Sequence, residues 1–388
     1  MVYVDDFKMS GPAGKNMARG WTLIKEGLAL DTPGPVGRCL GCHHVLRQAT
    51  VGQQPVNVIE YHVTDFMKDC VTAYKKACNE PNMRLKRVDT PFLAVQDGGG
   101  DPPNPLEEGG TEGALAPIAA SILMKILYGA RAARWNLLKA VQHLASRVTK
   151  WSQDCDKALH RLICYIDCTS DWVLRGFVGD NADEFKLHLY ADADFAGDRP
   201  GFKSTSGAFL TLSAPTSCFP LAAKSQKQTS VSHSTPEAEI VAANSAVRTI
   251  GFPALDLWES VLQRKIILML LEDNESTYQI IKSGKNPTMR HITRTHGVNI
   301  QWLHDLYKKG EFRAIYTSSE SQCADIFTKS FKDVPKWKQA VDNIGVAPPG
   351  AKITMPPKPG MRETTKIAKA KNAQLSGSGN VSDVDATD

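Results

Sequence analysis

The chain contains 388 residues, of which 42% are hydrophobic and 22% charged, and its formal net charge is +5. This composition is typical of a globular protein with two or three domains, and the mildly basic charge permits a polyanionic partner without requiring one. The apolar runs are far shorter than the ~20 residues of a membrane helix, and the nine scattered cysteines indicate free thiols in a reducing compartment. We therefore expect an intracellular protein, in the cytoplasm or nucleus, that is not secreted and has no membrane partner.

The chain begins with a predicted strand–turn–strand hairpin over residues 2–9, whose turn carries Asp5 and Asp6. The rest of the first 95 residues alternates helical and strand patterns, with Thr64 as the N-cap of the second helix. The predicted elements are helices over 15–28 and 64–79 and strands over 38–46 and 56–63. We treat residues 1–95 as one α+β unit.

A cysteine cluster in this first unit invites a metal or haem interpretation. Cys39, Cys42 and His43 have the spacing of a haem attachment site, and His44 adds a potential metal ligand. No second Cys/His pair that would complete a zinc site is visible nearby in the sequence, and haem attachment requires an exported, oxidising context. We interpret the segment as a strand with buried thiols, because Cys behaves as a small hydrophobe.

The middle of the chain has two contrasting compositions. Residues 96–113 are dominated by Gly, Pro and acidic residues, which predicts a linker without a core of its own. From residue 114 to about 169 the sequence is rich in Ala, Leu and Ile at helical spacing. We therefore expect a helical connection over residues 114–182.

Beyond residue 182 the hydrophobic period changes to that of a sheet with flanking helices. The predicted strands cover 186–190, 207–212, 221–224, 266–271 and 312–316. One helix is predicted to begin near Ser234, a second to end near residue 283, and two more to cover 298–308 and 321–331. We assign residues 183–345 to one α/β domain. Residues 346–388 have hardly any large apolar side chains, which predicts a disordered tail.

Four acidic residues of this domain are placed to share one site: Asp192, Glu239, Asp273 and Asp325. Asp192 and Asp273 end predicted strands, and acids at the ends of adjacent strands converge at one edge of a sheet. Carboxylates at close range repel one another unless cations neutralise them, and Mg²⁺ or Mn²⁺ prefers such oxygen ligands. Two such ions about 3.5–4 Å apart activate a water and stabilise the leaving oxygen of a phosphodiester. An isolated acid at a strand end is more often solvated or a cap, so the set supports the prediction and no single member does.

The sequence around these acids resembles the ribonuclease H domain of copia-type retrotransposon polyproteins. The matching strings occur in the family's order over residues 185–332: YADADFAGD from Tyr190, KSTSG from Lys203, STPEAE from Ser234, DN from Asp273 and ADIFTK from Ala324. The combination is specific, whereas none of the strings is specific alone.

This resemblance implies a ribonuclease H-like α/β fold, a mixed five-stranded sheet with flanking helices. It implies that Asp192, Glu239, Asp273 and Asp325 are the catalytic and metal-binding residues, with two Mg²⁺ or Mn²⁺ ions as cofactor. It also implies that the substrate is an RNA–DNA hybrid, whose RNA strand is hydrolysed by a water that attacks in line.

Two further acids, Asp194 and Glu237, lie close in sequence to Asp192 and Glu239 but are not assigned to the metal-binding set. Strand and helix geometry direct adjacent side chains elsewhere. Glu237 nevertheless remains the alternative to Glu239.

The predicted substrate surface is basic. Residues 276–304 contain no acidic residue, but they include Lys282, Lys285, Arg290 and Arg294. An ordinary solvated face mixes charges of both signs, so this strip indicates contact with nucleic-acid phosphates.

The string Tyr3-Val4-Asp5-Asp6 resembles the palm motif of reverse transcriptases. On that resemblance residues 1–95 are an incomplete palm and thumb, residues 114–182 are the connection, and Asp5 and Asp6 are a truncated polymerase motif. A polymerase site needs a further Asp from an upstream strand, so we expect no DNA synthesis by this chain. Other subunits from the same polyprotein are expected partners.

Two other hypotheses stay open. The first is a catalytically inactive nucleic-acid-binding remnant of a retrotransposon polyprotein. The second is a DNA strand-transfer enzyme on the same fold, but such sites usually carry a late Glu where this chain has Asp325.

Overall fold

The computed structural model describes residues 2–3, 6–11, 14–93, 111–198 and 201–357. Within these ranges the strands are β1 (Val2–Tyr3), β2 (Asp6–Phe7), β3 (Arg38–Cys39), β4 (Cys42–Val51), β5 (Gln54–His62), β6 (Val173–Val178), β7 (Lys186–Asp198), β8 (Lys203–Ala214), β9 (Ser217–Lys227), β10 (Leu268–Glu272), β11 (Arg313–Tyr316) and β12 (Val346–Ala347). The helices are α1 (Lys15–Gly27), α2 (Thr64–Ala77), α3 (Ala119–Ala133), α4 (Leu138–Ala145), α5 (Gln153–Cys168), α6 (Thr235–Ala246), α7 (Phe252–Leu262), α8 (Glu275–Ser283), α9 (Ile292–His296), α10 (Ile300–Lys309) and α11 (Val334–Asn343).

Ten of these strands, β3 to β12, form one mixed sheet in the described part of the chain. Along the sheet the order is β11, β10, β7, β8, β9, β6, β5, β4 and β3, and β12 pairs with β6. β1 and β2 form a separate antiparallel hairpin, as the sequence predicts, but Asp6 belongs to β2 and not to the turn. The polymerase motif at its turn stays a prediction, because Asp5 lies outside the described residues and only the backbone of Asp6 is described.

One half of the sheet has the topology that the resemblance implies. β7, β8 and β9 pair antiparallel in sequence order, β10 is added parallel to β7 on its other side, and β11 is parallel to β10. Helices fill the connections after β9 and after β10. The expectation of a ribonuclease H-like mixed sheet with flanking helices is confirmed. The three antiparallel strands β7, β8 and β9 are longer than predicted, because pairing continues through the small and polar residues beside each apolar centre.

Both faces of this half-sheet are buried, because side chains alternate along each strand. Leu189 and Ala191 of β7 belong to one apolar cluster, which includes residues of α6. Tyr190 and Phe209 face the opposite way and pack in a second cluster with residues of α3, α4 and α5. Parallel strands require cover on both faces. The helices of the predicted connection supply one of those two layers.

The predicted helical connection, residues 114–182, also contains a strand. β6 pairs with β5 and, through Phe177 and Cys218, with β9, so the five-stranded half continues into a larger sheet. Val173 and Leu174 are buried as well. A strand that is buried along its length lacks the alternation of apolar and polar residues from which a strand is predicted. The prediction missed β6 for that reason.

The predicted linker over residues 96–113 is described only at its end. Residues 94–110 lie outside the described ranges. The backbone N–H of Gly113 donates to the Trp151 carbonyl at 3.0 Å, which fixes the last residues of the segment against the start of α5.

The prediction of a disordered tail over residues 346–388 is wrong for residues 346–357. β12 pairs with β6, and Ile353 is 4% exposed in a small apolar cluster with residues of β5 and β6. Few apolar residues suffice here, because the sheet formed by earlier residues supplies the rest of the apolar surface. Residues 358–388 lie outside the described ranges.

Two details of the first unit follow from tight packing. α2 begins at Thr64, but Val63 and not Thr64 occupies the N-cap, because β5 leads directly into the helix and keeps Val63 in the core. Cys39 and Cys42 lie opposite each other across β3 and β4, and both are free thiols. Cys42 is buried, as predicted, while Cys39 is half-buried.

Candidate metal centre

Asp192 lies in the middle of β7, opposite Gly207 of β8, so the prediction that it ends its strand is wrong: pairing with β10 stops at Tyr190, but pairing with β8 carries the strand on to Asp198. Asp192 is 1% exposed. Alternation along β7 directs it to the same face as Tyr190, away from α6. On that face the hydroxyl of Thr328 donates a hydrogen bond to Asp192 Oδ2. The first predicted acid is therefore held in a fixed orientation at the sheet edge.

Asp325 lies in a short 3₁₀ turn, Cys323–Phe327, and the helix predicted over residues 321–331 does not form. The last helix of the described chain is α11, which follows later. The turn stays short because its ends bond to the sheet and not to each other: the Gln322 side chain donates to the Ala191 carbonyl at 2.9 Å. These bonds place Asp325 on the same face as Asp192.

Glu239 lies in the second turn of α6, on the other face of the sheet. The start of α6 is as predicted: Ser234 is the N-cap, and its hydroxyl accepts a hydrogen bond from the Glu237 backbone N–H at 3.3 Å. Alanines of α6 pack against Ala193 of β7, which brings the helix close to the strand. Glu239 is 4% exposed, and its Oε2 has no hydrogen-bond partner among the described residues.

Asp273 directly follows β10, between the two faces. Asn274 caps α8 by accepting a hydrogen bond from the Thr277 backbone N–H at 2.9 Å, which sets the direction of the chain. The Ser319 hydroxyl donates to Asp273 Oδ2 at 2.7 Å. Asp273 is therefore fixed at the carboxyl end of a parallel strand.

Within the described residues the acids form two groups, in each of which one oxygen of every member lies within 4.8 Å of the others. The first group contains Asp192, Asp273 and Asp325, and the second contains Glu239, Glu272 and Asp273. Asp273 is common to both. The structure thus brings all four predicted acids together at one edge of the sheet.

Glu272 was not predicted from the sequence. It is the last residue of β10 and is 0% exposed. Alternation places it on the face of Leu268 and Leu270, against which α6 packs. The available signal was an acid that ends an apolar strand immediately before Asp273. The prediction ended that strand one residue too early, at residue 271.

The acids have the electrostatics of a site that cations stabilise. Burial raises the pKa of Asp192, Glu239, Glu272 and Asp325, and that of Asp325 reaches about 8. Repulsion adds to burial: Glu272 further raises the pKa of Glu239, and Asp192 that of Asp325. Carboxylates in such an arrangement lose their protons readily only when positive charge is present.

One positive charge already lies at the first group. Lys329 Nζ is 2.7 Å from Asp325 Oδ1 and 3.4 Å from Asp192 Oδ1. Burial lowers the pKa of Lys329, but the charges of Asp192 and Asp325 together raise it above its usual range. The side chain keeps 42% of its surface exposed, so the ammonium reaches the acids from the solvent side. Lys329 belongs to one of the matching strings, but its place at the acids becomes visible only in the structure.

Glu237, the alternative acid on α6, has other partners. Its Oε1 is 3.2 Å from His291 Nε2 and 3.3 Å from His296 Nε2. Its Oε2 accepts a hydrogen bond from the His233 backbone N–H at 3.1 Å. Neither Glu237 nor Asp194 belongs to the two acid groups of the described residues. For Asp194 the expected reason is wrong, because residues two apart on a strand share a face and pairing with β8 is regular from Asp192 to Asp194.

The four basic residues of the predicted strip, Lys282, Lys285, Arg290 and Arg294, are all exposed. Lys282 Nζ lies 5.0 Å from the centre of the Tyr278 ring. The segment that carries Arg290 and Arg294 is held against the start of α6 by the histidine contacts to Glu237 described above. Part of the strip therefore lies beside the helix of Glu239, and its role in nucleic-acid binding stays a prediction.

Comparison with known proteins finds retrotransposon polyproteins. The chain is 26% identical over 233 residues to the retrovirus-related Pol polyprotein from transposon RE2 of Arabidopsis thaliana. The matched region covers 60% of this chain and 14% of that protein. For the RE1 polyprotein of the same plant the identity is 25% over 199 residues, or 50% of this chain and 13% of that protein. The identity to the Ty1-LR3 Gag-Pol polyprotein of Saccharomyces cerevisiae is 27% over 197 residues. This match covers 50% of this chain and 11% of that protein. The chain spans a small part of these relatives, and its resemblance to retrotransposon Pol polyproteins is confirmed.

Among solved structures, LC11-RNase H1 isolated from compost matches with a TM-score of 0.27 and 14% identity, over 37% of this chain and 92% of that one. At this TM-score and identity the match does not support a fold assignment, and the ribonuclease H-like fold is assigned from the strand order. No family model matches the chain. No helix of the described residues is both long and apolar enough to cross a bilayer. The chain thus has a ribonuclease H-like sheet and is similar over half or more of its length to retrotransposon Pol polyproteins.

Proposed function

We propose that the ribonuclease H-like domain hydrolyses the RNA strand of RNA–DNA hybrids, as part of a copia-type Pol polyprotein, with two Mg²⁺ or Mn²⁺ ions. The observation that carries the proposal is the convergence of Asp192, Glu239, Asp273 and Asp325 from both faces of the sheet to one edge. Acids gathered for structural reasons alone would be expected to satisfy their oxygens with hydrogen-bond donors. Glu239 Oε2 has no such donor in the described chain.

The residues fit divalent ions of the hard, oxygen-preferring kind. Asp192, Asp273 and Asp325 would hold one ion, and Glu239 and Asp273 would contribute to the other. When bound, such a pair supplies the Lewis acidity that activates a water and stabilises the leaving oxygen of an in-line displacement. The expected products carry a 3′-hydroxyl and a 5′-phosphate.

The chain's own residues supply orientation and charge. Thr328 and Ser319 hold Asp192 and Asp273 by hydrogen bonds, so these carboxylates have little freedom to turn. Lys329 offers an ammonium that reaches the acids from solvent, where a phosphate of the substrate would approach. The exposed basic strip that begins at Lys282 would follow the phosphates of the strand away from the site.

The substrate assignment is tested with the full chain, because the sheet continues beyond the ribonuclease H-like half. End-labelled RNA–DNA hybrid, double-stranded RNA and double-stranded DNA of one sequence are incubated with the protein in Mg²⁺ or in EDTA. We expect cleavage of the RNA strand of the hybrid in Mg²⁺, and intact RNA and DNA duplexes. Binding of the hybrid without cleavage in either Mg²⁺ or Mn²⁺ would instead support the inactive nucleic-acid-binding remnant.

The expected partners follow from this proposal. The hybrid is the substrate, and other proteins from the same polyprotein are candidate subunits. The proposed site of action is inside the cell, where reverse transcription products form.

A further inference from the structure

We infer that Glu272 is a fifth carboxylate ligand of this centre, so that Glu239, Glu272 and Asp273 form a cation subsite distinct from the Asp192–Asp325 subsite that Lys329 faces. The inference deepens the proposed function and rests on the same metal centre. It concerns a residue that neither the motif strings nor the predicted acid set contained.

The position of Glu272 follows from strand geometry. In β10, Leu271 packs in the apolar cluster on the face of Tyr190, and Leu270 packs in the cluster on the face of α6. Glu272 is two residues beyond Leu270 and so points toward α6, where Glu239 lies. The centre therefore occupies both sides of the sheet edge, and Asp273 joins the two sides.

The hydrogen bonding of Glu272 shows an oxygen without a protein partner. Oε1 accepts a hydrogen bond from the Asn274 backbone N–H at 3.0 Å. Oε2 is buried and has no partner among the described residues, as is also true of Glu239 Oε2. A buried carboxylate oxygen without a donor costs free energy unless a cation or proton satisfies it. Two such oxygens in one group of acids, with no side-chain donor between them in the described chain, match the requirement of a divalent ion.

The two subsites differ in what the chain supplies. At the Asp192–Asp325 subsite, Lys329 and Thr328 provide an ammonium and a hydroxyl donor. At the Glu272 subsite, the Ser319 hydroxyl bonds to the shared Asp273, but no ammonium is present and no donor reaches Glu239 Oε2 or Glu272 Oε2 among the described residues. A divalent ion added to the protein alone therefore binds first at Glu239, Glu272 and Asp273, while the Lys329 ammonium competes for the other position.

Charge balance agrees with five ligands. Five carboxylates and the Lys329 ammonium, when all are ionised, leave four uncompensated negative charges. Two divalent ions carry the same amount of positive charge. Without Glu272 the ammonium and two ions would leave the centre with an excess positive charge before any phosphate arrives.

The test measures binding of Mn²⁺ alone, without nucleic acid, to the full-length protein. Free Mn²⁺ is followed by electron paramagnetic resonance in titrations of wild type, Glu272→Gln and the matched control Glu275→Gln, which is exposed in the first turn of α8. Gln keeps the length of the side chain and an oxygen for the Asn274 N–H. We expect the tightest Mn²⁺ site to weaken at least about tenfold in Glu272→Gln, the lower end of losses seen when groups that support a metal site are removed. The Glu275→Gln protein should bind as wild type does.

A second measurement guards against a folding artefact. The rise in melting temperature on adding Mn²⁺ reports binding to the native state. That rise should shrink in Glu272→Gln while the metal-free variant melts no lower than wild type, since a buried acid has been replaced by a neutral group. Equal Mn²⁺ affinity and an equal rise in both proteins would overturn the inference.

The outcomes separate this inference from the proposed function. Mn²⁺ binding that depends on Glu272 in a protein that cleaves no hybrid would leave the subsite standing and refute the nuclease. Hybrid cleavage and Mn²⁺ binding that are both unchanged in Glu272→Gln would support the nuclease and remove Glu272 from the centre.

Discussion

Gly207 and Thr328 touch at the point where the turn of Asp325 rests on the sheet. A Cβ built on Gly207 would lie 2.7 Å from Thr328 Cγ2 and 2.9 Å from the Ala324 carbonyl oxygen. Gly207 is also the residue opposite Asp192 across β7 and β8. The absence of a side chain at this position allows the turn to approach closely enough for Thr328 to bond Asp192.

The first prediction concerns this close approach. Gly207→Ala should push the turn that carries Ala324 and Thr328 away from the sheet, because the Ala324 carbonyl oxygen belongs to the main chain and cannot rotate aside. We expect a loss of about 1–3 kcal/mol in the free energy of unfolding, typical of overpacking, and a larger loss of hybrid cleavage. Chemical denaturation and a cleavage assay measure the two. Gly27→Ala, at the end of α1 where a Cβ meets nothing within 4 Å, is the control: it should leave cleavage unchanged and should not lower the free energy of unfolding.

The second prediction concerns pH. The pKa of Asp325 is raised from 3.8 to about 8 by burial and then by Asp192. Between these values the native state binds more protons than the unfolded state, so the free energy of unfolding in EDTA falls as the pH rises through this window. Urea denaturation in EDTA at several pH values measures the slope. The Asp325→Asn protein should show a shallower decline, and an identical decline in both proteins would contradict the assignment.

The third prediction concerns Lys329. Lys329→Met keeps most of the side-chain length and removes the ammonium beside Asp192 and Asp325. The uncompensated repulsion should lower the melting temperature of the metal-free protein and increase the stabilisation produced by Mg²⁺. Thermal unfolding in EDTA and in Mg²⁺ measures both effects. Lys332→Met, a nearby lysine outside the acid groups, serves as the comparison, and equal behaviour of the two variants would speak against a role for Lys329.

The fourth prediction concerns the pairing of Glu237 with His291 and His296. Glu237→Gln should loosen the segment that carries Arg290 and Arg294 from α6 without removing a member of the acid groups. We expect weaker binding of the hybrid, measured by fluorescence anisotropy in the presence of Ca²⁺, and unchanged Mn²⁺ affinity. A loss of Mn²⁺ affinity would instead indicate that Glu237 belongs to the metal centre.

The fifth prediction concerns the basic strip. Replacing Arg290 and Arg294 together by Ala should weaken hybrid binding and reduce its salt dependence, by a slope of about 0.7–0.9 for each phosphate that the protein no longer neutralises. Binding titrations at several salt concentrations give the slope. The matched control is the double replacement of Lys308 and Lys309 at the end of α10, which should leave the slope unchanged.

The sequence predicted the part of the centre that depends on local chemistry. Ser234 and Pro236 identify the start of α6, and that start fixes which turn Glu239 occupies. Hydrophobic alternation and apolar runs, which are visible in a single strand, predict that Asp192 and Asp273 lie close together, and they do, although β7 continues past Asp192 to Asp198. The mixed sheet with flanking helices followed from the resemblance and is found in the structure.

The parts that sequence reasoning missed depend on tertiary contacts. The turn of Asp325 has the composition of a helix, but side chains at its two ends bond to the sheet: Gln322 to the Ala191 carbonyl and Thr328 to Asp192. β6 lacks alternation because it is buried between neighbouring strands and covering layers. Glu272 and Lys329 acquire their roles only when β10, α6 and the turn meet, and no spacing along the chain predicts that meeting.

The most direct test of the central claim compares cleavage of a labelled RNA–DNA hybrid in Mg²⁺ by wild type, Asp192→Asn and Asp194→Asn. The two substitutions make the same chemical change two residues apart on β7, one inside the acid groups and one outside them. We predict that Asp192→Asn abolishes cleavage while hybrid binding persists, and that Asp194→Asn retains cleavage. Equal activity in wild type and Asp192→Asn, or no cleavage by folded wild-type protein, would contradict the account.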